Sequence, residues 1–123
     1  MTLVEQIAEV EQGIDYQRFG ELARRFGASE ERLRRVLGFS ATTLHRRKHA
    51  GRFNTDESNK LYWLERLLDT ADQVLEDPEE TKVFMTTSNL ALGGVIPLDY
   101  ARTAPGLEAV RRLLHQLDHG VVV

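Results

Sequence analysis

Four histidines are the residues best suited, by type and spacing, to bind a metal or to transfer protons. His45 and His49 lie four residues apart, as do His115 and His119, a spacing that places both rings of a pair on one helix face. The first pair lies in HRRKH, where neighbouring cations oppose a divalent metal and no carboxylate is close in sequence. The second pair suits a helix C-terminus, where a protonated imidazole interacts favourably with the dipole. We therefore predict no metal and no cofactor.

Two further patterns look catalytic but lack essential parts. Asp118 beside His119 could pair a base with an orienting acid, yet no nucleophile is indicated and adjacent helical residues point apart. The segment ALGGVIP, residues 91–97, lacks the Lys-Ser/Thr of a phosphate loop and follows no predicted strand. The sequence therefore predicts a protein that is not an enzyme.

Positive charge is concentrated in one segment, residues 30–55. This segment carries six Arg and one Lys against two Glu, a balance of +5, although the whole chain is at −3. Residues 1–29 carry three Arg against five acids (−2), and residues 56–123 carry six Lys and Arg against twelve acids (−6). Such a block attracts a phosphate backbone that its flanks repel. The alternative is a solvated charged face.

The segment SEERLRRVLGFSATTLHRRKHAGRF, residues 29–53, has the spacing of a helix-turn-helix. Gly38 occupies the turn, and Leu44, six positions later, would anchor the second helix on the first. Arg34 is a departure, because the motif usually has a small residue four positions before the turn glycine. The outward face of the second helix could then contact base edges and phosphates. The candidate DNA-binding residues are Thr42, Thr43, His45, Arg46, Arg47 and Lys48. The alternative is a plain helical hairpin with a basic surface.

The elements that carry these residues are predicted to be helices, because apolar residues recur at intervals of three and four. The predicted helix ends are Gly13, Gly27, Gly38, Gly51 and Gly120. The predicted starts are the caps Ser29, Ser40 and Thr55 and the prolines Pro78, Pro97 and Pro105. The helix from Pro97 is expected to run to about Thr103, and Val121–Val123 could form an extended arm.

The predicted fold is therefore all-α, with about eight helices. A break near residues 51–56 predicts an N-terminal helix-turn-helix unit at 1–55 and a small helical C-terminal unit at 56–123. The long helix that follows the break carries an apolar stripe and is expected to pack against both units.

Composition is that of a folded protein of ordinary type. The 123 residues are 41% apolar and 28% charged, with no cysteine. We find no apolar run long enough to span a membrane and no signal peptide pattern. These features predict a cytoplasmic protein without disulfides or thiolate zinc sites.

The stretch SNLALGGVIPLDYART, residues 88–103, interrupts the helical pattern. Gly93 and Gly94 predict a tight turn, and Pro97 restarts a helix. Leu90, Leu92 and Ile96 are expected to pin this turn to the flanking helices.

Several stretches together resemble the MbcA/ParS/Xre antitoxins, which are paired with RES-domain toxins. In the N-terminal half the resemblance is carried by LGFSATTLHRRKHAGRFNTDESNKL. In the C-terminal half the family's residues recur in the same order and spacing: Asn89, Ala91, Leu92, Gly93, Gly94, Pro97, Leu98, Thr103, Gly106, His119 and Gly120. Ser88 departs from the family, which usually has proline there, and should only loosen the start of the loop. The resemblance covers about residues 16–123.

This resemblance implies an antitoxin that neutralises an NAD-consuming RES-domain toxin and represses its own operon by binding operator DNA. One helix-turn-helix reads only a short site, so a homodimer on a palindrome is expected. The resemblance also implies that the C-terminal unit contacts the toxin and that its end covers the NAD cleft. The residues assigned to that contact are Asp118, His119, Gly120, Val121, Val122 and Val123. The loop of Asn89, Leu92, Gly93, Gly94 and Pro97 is expected to shape the domain more than it touches the toxin.

Two other functions and two locations of the dimer interface stay open at this point. The chain could be a stand-alone helix-turn-helix transcription regulator that senses a small ligand in its C-terminal unit, or a helical adaptor without a DNA role. The dimer interface could lie on the long helix, at Trp63 and Leu67, or on the C-terminal unit.

Overall fold

The computed structural model describes residues 1–119. Within that range the chain forms eight α-helices and one 3₁₀ turn, and its only extended pairings are two isolated bridges. The helices are α1 (Leu3–Gln12), α2 (Gln17–Phe26), α3 (Glu30–Leu37), α4 (Ala41–Ala50), α5 (Thr55–Leu75), α6 (Pro78–Thr86), α7 (Pro97–Tyr100) and α8 (Ala104–Asp118), and the 3₁₀ turn is Leu90–Leu92. The prediction of an all-α fold is confirmed. Gly120 as a helix end and Val121–Val123 as an arm lie outside the described residues.

Side-chain caps set several helix starts. The hydroxyls of Ser29 and Ser40 cap α3 and α4 as predicted, each accepting a backbone N–H three residues on. The prediction of Thr55 as the cap of α5 was wrong, because Asn54 takes that place. Asn54 and Glu57 form a reciprocal capping box, with Glu57 N 2.8 Å from Asn54 Oδ1 and Asn54 N 2.9 Å from Glu57 Oε1.

Helix α5 is the central element of the fold and packs against α1, α2, α6 and α8. Its fully buried residues are Ser58, Leu61, Leu64, Leu67, Leu68 and Ala71. One apolar cluster runs without a break from Ile14 in the N-terminal part to Leu114 in α8. The predicted unit boundary, between residues 55 and 56, falls at the start of this shared helix and stays a prediction.

Backbone hydrogen bonds join the segment before α2 to the segment after α4 and so close the N-terminal helices into a unit. Tyr16 N lies 2.9 Å from Gly51 O, and Phe53 N lies 3.0 Å from Ile14 O. The buried hydroxyl of Ser58 accepts a hydrogen bond from Ile14 N at 2.8 Å, which ties α5 to the same point. Four aromatic rings contact one another in stacked or tilted arrangements beside these segments: Tyr16, Phe19, Phe39 and Phe53. The start and the end of the helix-turn-helix unit are therefore held together.

The junction between α7 and α8 is unusually tight. The helix predicted from Pro97 to about Thr103 ends at Tyr100, and Thr103 instead caps α8 by accepting the N–H of Gly106 at 3.1 Å. A Cβ atom at Gly106 would lie 1.7 Å from the carbonyl oxygen of Tyr100. The pattern Thr103-x-x-Gly106 thus combines a helix cap with a position where only glycine fits.

Candidate functional site

Helix α4 lies at the surface and contains no fully buried residue. Leu44 is partly buried against the core, where the helix-turn-helix spacing places the anchor of the second helix. Thr43 precedes Leu44 by one residue and Arg47 follows it by three, and both side chains are also partly buried on the inward side. The opposite face of α4 is consequently exposed over its length.

The turn between α3 and α4 is held by Arg34, the residue that departs from the motif. Its Nη1 donates to the carbonyl of Phe39 at 2.7 Å, and its Nε donates to Glu31 at 3.0 Å. Gly38 ends α3 in the left-handed conformation, at φ +75°. The large side chain is therefore accommodated by lying across the turn, where it donates to the carbonyl of a residue between the two helices.

Lys60 supports the same turn from α5. Its ammonium lies 5.7 Å from the centroid of the Phe39 ring and 3.4 Å from the carbonyl oxygen of Leu37. A cation near the last carbonyls of α3 interacts favourably with the helix dipole. The long helix therefore contacts both the end of α3 and the turn of the motif.

Arg47 fixes the far end of α4 to the start of α5. Its guanidinium donates to both carboxylate oxygens of Glu57, at 2.7 and 3.1 Å. Burial by itself raises the pKa of Glu57, but hydrogen bonds from Arg47 and from Asn54 N–H outweigh it and hold that pKa below 4.5. The same hydrogen bond raises the pKa of Arg47. This arginine is a structural clamp in the free protein.

The exposed face of α4 carries four of the six candidate DNA-binding residues: Thr42, His45, Arg46 and Lys48. Neither Arg46 nor Lys48 forms an ion pair with any residue in the range 1–119. The fifth candidate, Thr43, has its hydroxyl 2.9 Å from Ser40 Oγ, within the cap of the helix. The sixth, Arg47, is held by Glu57.

Other cations of the basic segment are used inside the fold. Arg32 pairs with Asp99 at 3.4 Å, and Arg52 Nη1 donates to the carbonyl of Gly13 at 2.9 Å. Within residues 30–55, Arg46 and Lys48 on the outer face of α4 thus keep positive charge that no such contact occupies. The two histidines of that helix contact each other, with Nε2 of His45 and His49 3.2 Å apart.

The stretch between α6 and α7 folds around Asn89. Its side-chain oxygen accepts the N–H of Ala91 at 2.9 Å, and its backbone N–H donates to Val95 O at 3.1 Å. Its carbonyl accepts the N–H groups of Leu92 and Gly94. Gly93 and Gly94 adopt φ of +71° and +84°, which side chains disfavour. The loop is a defined turn rather than a linker.

Only part of the predicted apolar anchoring of this turn is correct. Leu92 is buried and Ile96 is partly buried against the core. Leu90 is 94% exposed, so the prediction that it pins the turn was wrong. The 3₁₀ geometry turns consecutive side chains by about 120°, which directs Leu90 outward when Leu92 points inward.

The end of α8 is the last described part of the proposed toxin contact. Asp118 is exposed, and His119 follows the helix with Nδ1 2.8 Å from the carbonyl oxygen of His115. This histidine therefore closes the helix C-terminus. The other predicted contact residues, Gly120, Val121, Val122 and Val123, lie outside the described range.

An open apolar cleft of about 410 Å³ separates α3 and α5 from the start of α8. Its apolar lining residues include Val36, Leu37, Trp63, Leu64 and Leu107. In residues 1–119, no three His, Asp or Glu side chains lie together as a metal site. Nor does any helix of that range have the length and hydropathy needed to cross a membrane.

These features define a helix-turn-helix protein with a helical C-terminal extension. Comparison with protein families matches residues 5–66 to the antitoxin Xre-like helix-turn-helix domain. Residues 70–120 match the antitoxin Xre/MbcA/ParS C-terminal toxin-binding domain. No curated relative matches the chain. The chain belongs to the Xre/MbcA/ParS antitoxins, and its two domains support DNA binding and toxin binding.

Proposed function

We propose that this antitoxin neutralises a RES-domain toxin that consumes NAD and represses its own operon in the cytoplasm. The observation that carries the proposal is the order of the two domains, in which a toxin-binding domain directly follows a helix-turn-helix with an exposed basic face. The signature from Asn89 to Gly120, which resembles antitoxins of RES toxins, supports the choice of toxin class.

Inhibition is proposed to depend on the segment after α8. That helix is anchored in the core by Val110, Leu113 and Leu114, so its end is held at a set place on the surface. A segment that starts from a fixed point loses less entropy on insertion into a cleft than a free peptide does. Residues 118–123 would thus cover the NAD cleft of the toxin.

Operator binding is proposed to use the outer face of α4, with Arg46 and Lys48 on phosphates and Thr42 and His45 near base edges.

One motif reads a short site, so a homodimer on a palindrome is expected. Trp63 is 55% exposed and lines a groove with Leu3 and Ile7 of α1, a helix with no fully buried residue. We assign the dimer contact to this groove. Leu67, the other candidate on α5, is 2% exposed and belongs to the core.

The test of this function is purification of the chain with the protein encoded by the neighbouring gene, followed by an assay of NAD loss. The free partner should consume NAD, and the complex should not. A partner that consumes NAD equally well in the complex, or that forms no complex, would refute neutralisation.

The apolar cleft beside Trp63 and Leu107 favours one second candidate, a regulator that senses a small ligand. Apolar concave sites between helices are common ligand sites. In that case the chain would bind operator DNA alone, and a small molecule, rather than a partner protein, would change the affinity. Titration of the DNA complex with the NAD-consuming partner distinguishes the two functions.

A further inference from the structure

The surface of the C-terminal domain contains a long stretch without charge. Residues 83–98, sixteen in a row, include no Asp, Glu, Lys or Arg, although 28% of the whole chain is charged. Much of this stretch is exposed: Val83, Thr87, Ser88, Leu90, Ala91, Gly93, Gly94 and Val95. Depletion of charge is what distinguishes the centre of a protein–protein interface from other surfaces.

Leu90 stands at the most exposed point of this stretch. Its side chain is 94% exposed, the largest value among the exposed large apolar residues of the described range. Its backbone is nevertheless held: the carbonyl accepts Gly93 N–H at 3.0 Å, within a turn closed by the Asn89–Val95 bridge. Buried Leu92 fixes the turn to the core from the other side.

A fixed turn that presents one apolar side chain is suited to act as a binding anchor. Little backbone entropy is lost when such a residue enters a pocket, because the turn is already ordered before binding. The burial of a leucine side chain then favours association. In the free protein, exposure of Leu90 adds nothing to the packing of the turn.

We infer that Leu90 is an anchor of the toxin contact and enters an apolar pocket on the toxin. This inference rests on the proposed function and adds a contact role to a loop that we expected mainly to shape the domain. The occupant is assigned as toxin because the whole turn lies inside residues 70–120, which match the toxin-binding domain. The uncharged rim formed by Ser88, Ala91 and Val95 suits an interface centre.

Affinity for the toxin and inhibition of the toxin are then carried by two different parts of the C-terminal domain. The turn at Leu90 supplies affinity, and the segment after His119 covers the cleft. Loss of the anchor should therefore release the toxin, whereas loss of the segment should leave the toxin bound and active.

The experiment measures binding of the purified neighbouring-gene toxin to the full-length chain and to Leu90→Asp and Leu90→Met. Leu90→Asp should weaken binding by about 30-fold or more, as expected for an interface hot spot, and Leu90→Met should bind nearly as the parent does. Val4→Asp is the matched control, since Val4 is 76% exposed on α1 and does not line the groove assigned to the dimer contact, and toxin affinity should not change. Melting temperature and operator affinity should stay the same in Leu90→Asp.

Parental affinity in Leu90→Asp would overturn the inference and leave the proposed function standing. A change to a smaller oligomer in Leu90→Asp, with toxin binding intact, would also overturn it and assign the turn to self-association. Failure of the parent chain to bind the toxin would instead refute the proposed function.

Discussion

Adjacent arginines on α4 have different environments. Arg46 is exposed and has no ion-pair partner in residues 1–119, whereas Arg47 makes a two-point contact with Glu57. Helical geometry explains the difference, because neighbouring residues point about 100° apart and only one of them can face α5. Arg47 follows Leu44 by three residues and shares its inward side. Arg46 is thus the arginine of this pair that a phosphate can reach without breaking an existing contact.

Arg46→Ala should weaken operator binding about tenfold and reduce the slope of log affinity against log salt by about one, because one phosphate contact and its released counterion are lost. Titration of labelled operator at several salt concentrations measures both quantities. Arg112→Ala removes the same charge from an exposed position of α8 and should change neither. An unaltered salt slope in Arg46→Ala would remove α4 from the DNA contact.

At the scale of elements, two junctions determine how the helices are arranged. The first is the close approach of α8 to the end of α7, where Gly106 faces the carbonyl of Tyr100. The second is the attachment of α4 to α5, where Glu57 serves both as the third residue of the capping box and as the partner of Arg47. Each junction depends on one or two side chains, so each can be tested by a single substitution.

Gly106→Ala should lower the free energy of unfolding by about 3 kcal/mol or more, because the new Cβ would overlap the Tyr100 carbonyl and force α8 away from α7. Urea unfolding measures the change. Gly20→Ala is the matched control within α2, where the nearest atom would lie at 3.5 Å, and it should raise stability by up to ~1 kcal/mol. Equal stability in Gly106→Ala and the parent would show that this junction is loose.

The Arg47–Glu57 pair should make the free energy of unfolding depend on pH. The pKa of Glu57 in the folded chain lies below the 4.5 of an unperturbed carboxyl, so the folded state binds the proton less well than the unfolded state does. The contribution of the pair is therefore fully present above about pH 5 and is lost as pH falls through the folded pKa.

Arg47→Met should consequently melt at a lower temperature than the parent near neutral pH, and the gap should narrow below pH 4.5 as Glu57 becomes protonated in both proteins. Thermal melts followed by circular dichroism across that range measure the gap. Arg35→Met serves as the control, because Arg35 lies 3.9 Å from a carboxylate oxygen of Glu31 on its own helix and, among residues 1–119, forms no ion pair with another helix. A gap that stays constant with pH would mean that Arg47 acts through packing alone.

At the scale of the whole molecule, charge divides the chain into two parts, whereas the apolar core is continuous. The core is continuous from Ile14 to Leu114, so the two halves form one packed body around α5. Charge changes sign along the same body, from +5 over residues 30–55 to −6 over residues 56–123. We expect this asymmetry to direct α4 toward DNA and the C-terminal domain away from it. A toxin bound near Leu90 would therefore lie clear of the phosphate backbone.

Removal of residues 120–123 should restore NAD consumption by the bound toxin while the complex stays intact. The truncation leaves His119 and its contact with the His115 carbonyl, so the melting temperature should not change. Binding and NAD loss are measured on the same preparation, with Leu90→Asp as the comparison in which binding itself fails. A truncated chain that still protects NAD would show that the domain surface suffices for inhibition.

Local features of the sequence determined most of the helices, because caps and breakers act within a few residues. Ser29, Ser40 and Gly38 mark helix boundaries through hydrogen bonds to their own neighbours. The cap at Asn54 was also readable, since Asn-x-x-Glu is a capping-box spacing and Thr55 has no such partner. The order of the family's residues in both halves likewise sufficed to identify the antitoxin family.

Tertiary structure alone decided which side chains remain available for partners. Arg46 and Arg47 are alike in sequence, and only the approach of Glu57 from another helix distinguishes a free cation from a clamp. Leu90 and Leu92 are alike in the same way, and only the packing of the turn against the core exposes one and buries the other. Sequence spacing shows which residues share a helix face. Whether a side chain is free to bind a partner depends on contacts between residues that are distant in sequence.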